Sequence, residues 1–94
     1  MEIKYTNHLK NRLQLRQIEY DLPKRVYSES KERYYDTETG HHIALLAVEI
    51  YGKTRDVIAV YRAESENVLI LTIHPLKEGQ KETRIQNGRW RKAE

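Results

Sequence analysis

Cysteine and phenylalanine are both missing from this 94-residue chain, proline occurs only twice and glycine four times. Without cysteine there is neither a disulfide framework nor a thiolate zinc site, so redox chemistry says nothing about compartment. No long hydrophobic run is present either. The longest falls far short of the roughly 20 residues needed to cross a bilayer as a helix, so no membrane association is expected. Met1 is followed by Glu, Lys, Asn and His rather than by an apolar stretch, so no secretory signal is read and a cytoplasmic protein is the expectation. The common chemical signatures are missing too: there is no Gly-rich phosphate loop, HExxH, GxSxG or paired-Cys pattern. No cofactor and no metal site is implied, and there is no internal repeat or low-complexity segment.

What is present is apolar content gathered into runs. Hydrophobic residues make up 38% and charged residues 33%, a balance that folds because the apolar part can be buried in blocks. The length allows one domain over 1–94. It divides into an N-terminal helical part over 1–24, an antiparallel sheet over 25–75 and a basic C-terminal segment over 76–94. The centre is HHIALLAVEIYGKTRDVIAVYRAESENVLILTIHP, residues 41–75, which reads as strand, turn, strand, turn, strand. Turns this short join only antiparallel neighbours, so the unit is a meander. Residues 43–48 are apolar at both odd and even positions, which predicts a strand covered on both faces. ERYYD before it adds a further strand, with Gly40 and Gly52 supplying the positive φ of tight hairpins. Strict alternation in the last strand would send Leu69, Leu71 and Ile73 to the core and bring Thr72 and His74 to a rim.

Before the sheet, MEIKY has the alternation of a short edge strand. Thr6 or Asn7 can cap a helix through residues 8–17, with Leu9 and Leu13 one turn apart on its buried stripe. Ile18 and Leu22 suggest a second short helical turn ended by Pro23, after which the chain extends. The fold class expected is therefore α+β, with one helix or two short ones packed on an antiparallel meander of four to five strands. After the sheet, Lys77, Lys81 and Arg84 recur at helical spacing, and Asn87 and Gly88 end that pattern. Seven tyrosines and no phenylalanine suit side chains that bury a ring and wet a hydroxyl.

The net charge of +3 is unevenly spread. Residues 1–26 carry six Lys/Arg against three Asp/Glu, residues 77–94 again six against three, and residues 27–76 five against eight. An acidic sheet thus lies between two basic ends, and if these meet in space they form a surface that attracts phosphates. His8 and Arg12 are spaced i, i+4 and share one helix edge, the first a candidate proton acceptor and the second a bidentate phosphate ligand. His74 sits where the last strand leaves the sheet. Lys77, Lys81, Arg84, Arg89 and Trp90 mix cations with an aromatic ring, the combination that grips a nucleic-acid backbone and stacks on bases. His41 and His42 are adjacent, so in a strand they face opposite ways and cannot hold one metal together.

The spacing of His8, Arg12, Ile18 and Pro23, followed by several strands that end in TIHP, resembles a family of small uncharacterised bacterial and archaeal proteins grouped with the RelE/ParE-like toxins. The similarity runs over roughly residues 5–76. The chain departs from that pattern in having Gln17 where a Gly is typical, and only four residues between Ile18 and Pro23 where a fuller second helix is usual. The resemblance implies a compact α+β domain with helices on one sheet face and a groove on the other. In the RelE-like branch such grooves cleave mRNA by promoting attack of a 2′-hydroxyl on the adjacent phosphate, whereas the ParE-like branch does not cleave RNA. It implies RNA and an acidic antitoxin-like protein as partners, with His8, Arg12 and His74 as the catalytic candidates. Oligomeric state is left open, a dimer included.

The leading expectation is thus a RelE-like RNA-binding protein with metal-independent endoribonuclease activity. The alternative is a non-catalytic interaction module, a toxin-like scaffold or assembly subunit.

Overall fold

The computed structural model describes residues 2–93. Its elements run β1 (Glu2–Tyr5), α1 (Asn7–Leu15), α2 (Leu22–Glu29), β2 (Glu32–Asp36), β3 (His42–Ile50), β4 (Lys53–Glu64), β5 (Asn67–Pro75), α3 (Gln80–Gln86) and β6 (Trp90–Lys92). The class is α+β, but the sheet is larger than an antiparallel meander and is mixed. Its order is β1-β5-β4-β3-β2-β6, with β1 parallel to β5 and every other pair antiparallel. A strand therefore precedes the first helix, and α1 and α2 form the crossover side of the β1-to-β5 arrangement. The C-terminal residues expected as a tail add a sixth strand beside β2.

Thr6 caps α1, its hydroxyl accepting from the Leu9 N–H at 3.1 Å, so one of the four orphan donors of the helix is satisfied. Leu9 and Leu13 are buried as expected. The helix closes at Arg16 with Ile18 N–H donating to Leu13 O and Gln17 N–H to Gln14 O, the paired bonds of a Schellman motif. Gln17 takes φ 53°, the left-handed region in which glycine is unstrained. Ile18 then packs onto the same core as Leu13.

Pro23 does not end a helix; it lies in the first turn of α2. A first-turn residue needs no hydrogen-bonded N–H, and proline's fixed φ suits that position. Residues 24–29 are therefore helical where an extended segment was expected, and the meander begins at Glu32 rather than at residue 25. The second helix, read from the sequence as a short turn up to Pro23, instead runs from Leu22 through Pro23 to Glu29.

Both faces of β3 are covered. Ala44, Val48 and Ile50 join Leu9, Leu13, Leu22 and Val26 in the core under α1 and α2, while Ile43 and Leu45 join Tyr34, Ile58, Leu76 and Trp90 in a second cluster on the opposite face. Full burial of each such aliphatic side chain contributes about 1.5–3 kcal/mol. In β5 the alternation breaks. A bulge between Val60 and Tyr61 pairs Val60 with Thr72 and Tyr61 with Ile70, leaving Leu71 without a partner. The phase shifts there, so Val68, Ile70 and Ile73 are the buried residues and Leu69 and Leu71 are only half-buried. The expectation that Leu69 and Leu71 build the core is thereby corrected, whereas Thr72 and His74 do share a face.

Helix α3 lies against the second face. It starts after Gly79, so Lys77 is outside it, and it buries no residue of its own. Polar links fasten it: Lys81 forms an ion pair with Glu32 of β2, and the Arg84 guanidinium sits 5.3 Å from the Trp90 ring centre. No helix among the described residues is long and apolar enough to cross a membrane.

Candidate functional site

Strand β1 covers β5 only from Asn67 to Ile70, so the carbonyls beyond lose their strand partner. The entry to α1 takes over. Thr6 N–H donates to Ile70 O at 3.2 Å, the Thr6 hydroxyl donates to Leu71 O at 3.0 Å, and Arg12 Nε donates to Ile73 O at 3.1 Å. These bonds satisfy a sheet edge that would otherwise be left open. They also carry the Arg12 side chain from the helical layer to the end of β5, beside His74.

His74 pairs across the sheet with Ile58, whose side chain belongs to the second cluster. The imidazole therefore stands on the face opposite α1 and α2, half-buried, with Thr72 two residues before it on the same face. Burial pushes its pKa below the ordinary 6.5, and the cations of Arg12 and Arg84 push it the same way. Arg12 and Arg84 come from elements at opposite ends of the chain, yet both act on this ring. Among the described residues neither guanidinium has a carboxylate partner in an ion pair. The charged form of the imidazole is thus disfavoured first by burial and then by two guanidinium groups that form no ion pair among the described residues.

The other expected site residues are placed differently. His8 is exposed on α1, one turn before Arg12. Lys77 is exposed in the loop after β5, at the edge of a surface cavity of about 520 Å³ that Lys53, Arg55 and Asp56 also border. Lys81 is paired with Glu32, which also accepts a hydrogen bond from the Tyr34 hydroxyl at 2.6 Å. Burial raises the Glu32 pKa, but the Lys81 and Tyr34 bonds outweigh it and leave the carboxyl below its ordinary value. Burial and this carboxylate push the Tyr34 phenol upward.

Arg89 and Trp90 are corrections to the nucleic-acid reading. The Arg89 guanidinium makes a fork to the Asp36 carboxylate, Nε at 3.1 Å and Nη2 at 3.1 Å, with Asp36 only 3% exposed. Burial favours the neutral acid, but the Arg89 bonds and the Glu38 N–H more than offset this and hold the Asp36 pKa below its usual range. Trp90 is 2% exposed and stacks on Tyr34 at 5.5 Å, so its ring is not open to a base. Its visible effect is to seat Arg84 by cation–π attraction. Lys81 and Arg89 of the basic C-terminal segment thus neutralise the acidic sheet at Glu32 and Asp36, while among the described residues Lys77, Arg84, Arg91 and Lys92 form no ion pair.

The two basic ends do not share a side. Helix α1 packs on one face and the C-terminal segment on the other; Arg12 reaches from the first towards the end of β5 through its bond to the Ile73 carbonyl. Among the described residues no three His, Asp or Glu side chains are placed to hold a metal ion. Comparison with protein-family models, curated proteins and solved structures finds no match to this chain.

Proposed function

We propose that the chain is a RelE-like, toxin-type protein that binds single-stranded RNA and cleaves it by general acid–base chemistry at His74. One observation carries this reading: Arg12 Nε is held on the Ile73 carbonyl next to a half-buried imidazole, whose charged form is disfavoured by burial and then by the Arg12 and Arg84 charges. A neutral imidazole accepts a proton near pH 7, and guanidinium groups bind a phosphodiester. In the proposed reaction His74 removes the proton of a ribose 2′-hydroxyl. The 2′-oxygen attacks the adjacent phosphorus, the bond to the 5′-oxygen breaks, and that oxygen takes up a proton from a water molecule, whose hydroxide takes back the proton held on His74. The products are a 2′,3′-cyclic phosphate and a 5′-hydroxyl. Arg12 and Arg84 stabilise the charge that builds on the non-bridging oxygens. An anionic phosphate bound there also raises the affinity of the imidazole for a proton, which aids its work as a base.

Incubation of end-labelled single-stranded RNA with the protein in a chelator tests this. Cyclic-phosphate ends that vanish in His74→Gln support the proposal; intact RNA refutes it.

A second reading has its own observation. Among the described residues strand β1 pairs only with β5 and strand β6 only with β2, so each presents an outer edge to which a strand could add. A non-catalytic module would dock an acidic antitoxin-like partner or a second copy there. Light scattering separates the two, since edge substitutions in β6 would then change assembly and leave RNA unaffected.

A further inference from the structure

The face that carries α1 and α2 is not covered to its end. Helix α2 packs against β3, β4 and β5, and toward β2 and β6 the sheet surface is polar and aromatic. In that region four residues lie in one cross-strand row: Arg91 of β6 opposite Tyr35 of β2, Tyr35 opposite His42 of β3, and His42 opposite Tyr61 of β4. Direct register places all four side chains on the same face.

The rings touch one another. His42 stacks on Tyr61 with centres 5.5 Å apart and planes 23° apart, and Tyr35 meets His42 edge-on at 5.5 Å. Tyr61 continues the series to Tyr27 of α2 at 4.8 Å. Arg33 fixes the inner end, with its guanidinium 4.5 Å from the Tyr27 ring centre, one nitrogen donating to the Tyr61 hydroxyl at 3.3 Å and another to the Tyr27 carbonyl. Past Tyr61 and Tyr27 lies an open trough of about 480 Å³ floored by Val68. Tyr35 is 39% exposed, His42 is half-buried and Arg91 is exposed, so the outer end of the row faces solvent.

The carboxylates of the sheet are sorted by face. By register and alternation the strand carboxylates Glu2, Glu32, Asp36, Glu49, Asp56 and Glu64 all point to the α3 side. The opposite side receives Arg33 and Arg91 at the row, whereas Lys4, Arg62 and Lys92 fall on the α3 side with the carboxylates by the same count. Glu66, in the turn after β4, is the acidic residue bordering the trough. Rigid rings beside guanidinium groups, on a surface from which strand carboxylates are excluded, complement a polyanion with flat exposed bases. They fit an acidic or aliphatic protein surface less well.

We infer that the Arg91–Tyr35–His42–Tyr61 row is a second binding surface, on which bases of single-stranded RNA stack on Tyr35 and His42 while Arg91 holds the adjoining phosphate. This rests on the reading of the chain as an RNA-binding protein, and adds a hold that does not touch His74. The two surfaces lie on opposite faces, so the row engages nucleotides distant from the scissile bond.

The test is fluorescence anisotropy with labelled single-stranded oligoadenylate and oligouridylate twelve nucleotides long. The full chain carries His74→Gln throughout, so that the probe stays intact. Tyr35→Ala is expected to weaken binding about tenfold, more for adenylate, whose base offers the larger stacking area. Tyr35→Phe keeps the ring and is expected to bind as the parent does. Arg91→Ala should lower the slope of log K against log salt by about one phosphate contact. Parent-like binding by both Tyr35→Ala and Arg91→Ala overturns the inference, and if Arg12→Gln still weakens binding the proposed function at His74 survives it. Equal loss in Tyr35→Phe and Tyr35→Ala also overturns it, because a hydroxyl bond rather than stacking would then be at work. A parent that binds neither oligonucleotide overturns the row and the proposed RNA-binding function together.

Discussion

Arg12 donates its Nε to the Ile73 carbonyl at 3.1 Å, and this single bond across the unpaired end of β5 brings a cation from the helical layer to His74 on the far face. A residue that closes a sheet edge is thereby also one that sets the charge around an imidazole. That bond uses Nε alone, and among the described residues the guanidinium forms no ion pair.

The coupling is measurable at the ring. Arg12→Gln keeps a side-chain donor for the carbonyl and removes the charge, so the His74 pKa should rise toward 6.5. Imidazole proton shifts followed by NMR through a pH titration check this, and an unmoved titration would mean that Arg12 does not act on the ring.

Stability should depend on the same group. The folded-state pKa of His74 is lowered, so between 6.5 and the folded value the unfolded chain binds the proton more readily. Stability is full above 6.5, falls as pH drops through that window and levels off below the folded pKa. Urea unfolding at a series of pH values should show this step in the parent and not in His74→Gln.

Gln17 stands at φ 53° as the residue after the α1 cap. Gln17→Gly removes the steric cost of that conformation and should stabilise the fold by about 0.5–1 kcal/mol. Thermal unfolding checks it, with a rise in Tm expected.

Arg89 should behave as a structural cation. Arg89→Ala leaves the buried Asp36 carboxylate without its fork and should cost about 2 kcal/mol, while the salt slope of RNA binding stays as in the parent. Arg84→Gln should do the reverse, lowering the slope by about one with little loss of stability. Denaturant unfolding and salt-dependent binding, run on both variants, distinguish the two arginines.

Much of the sheet was legible in the sequence because its cause is local. The double-sided apolar run at 43–48, the Thr6 cap and the hairpin glycines each follow from a few adjacent residues. The bulge was not, because which residue of β5 stays unpaired depends on β4, and one extra residue inverts the face of everything upstream of it. Pro23 misled because the same ring that ends a helix also begins one. At the site, Arg12, His74 and Arg84 were legible as residue types, but their convergence depends on a side chain crossing a sheet edge. The charges of Lys81 and Arg89 looked like a surface for phosphate because composition cannot show that Glu32 and Asp36 already neutralise them.

In the proposed reaction His74 performs the proton transfer on RNA. The most direct measurement is the single-turnover cleavage rate of single-stranded RNA in chelator for the parent and for His74→Gln, with binding affinity measured in parallel. The account predicts a rate about 10²- to 10⁴-fold lower in the variant with affinity nearly unchanged. Equal rates in the two proteins, or no cleavage by the parent, would contradict it.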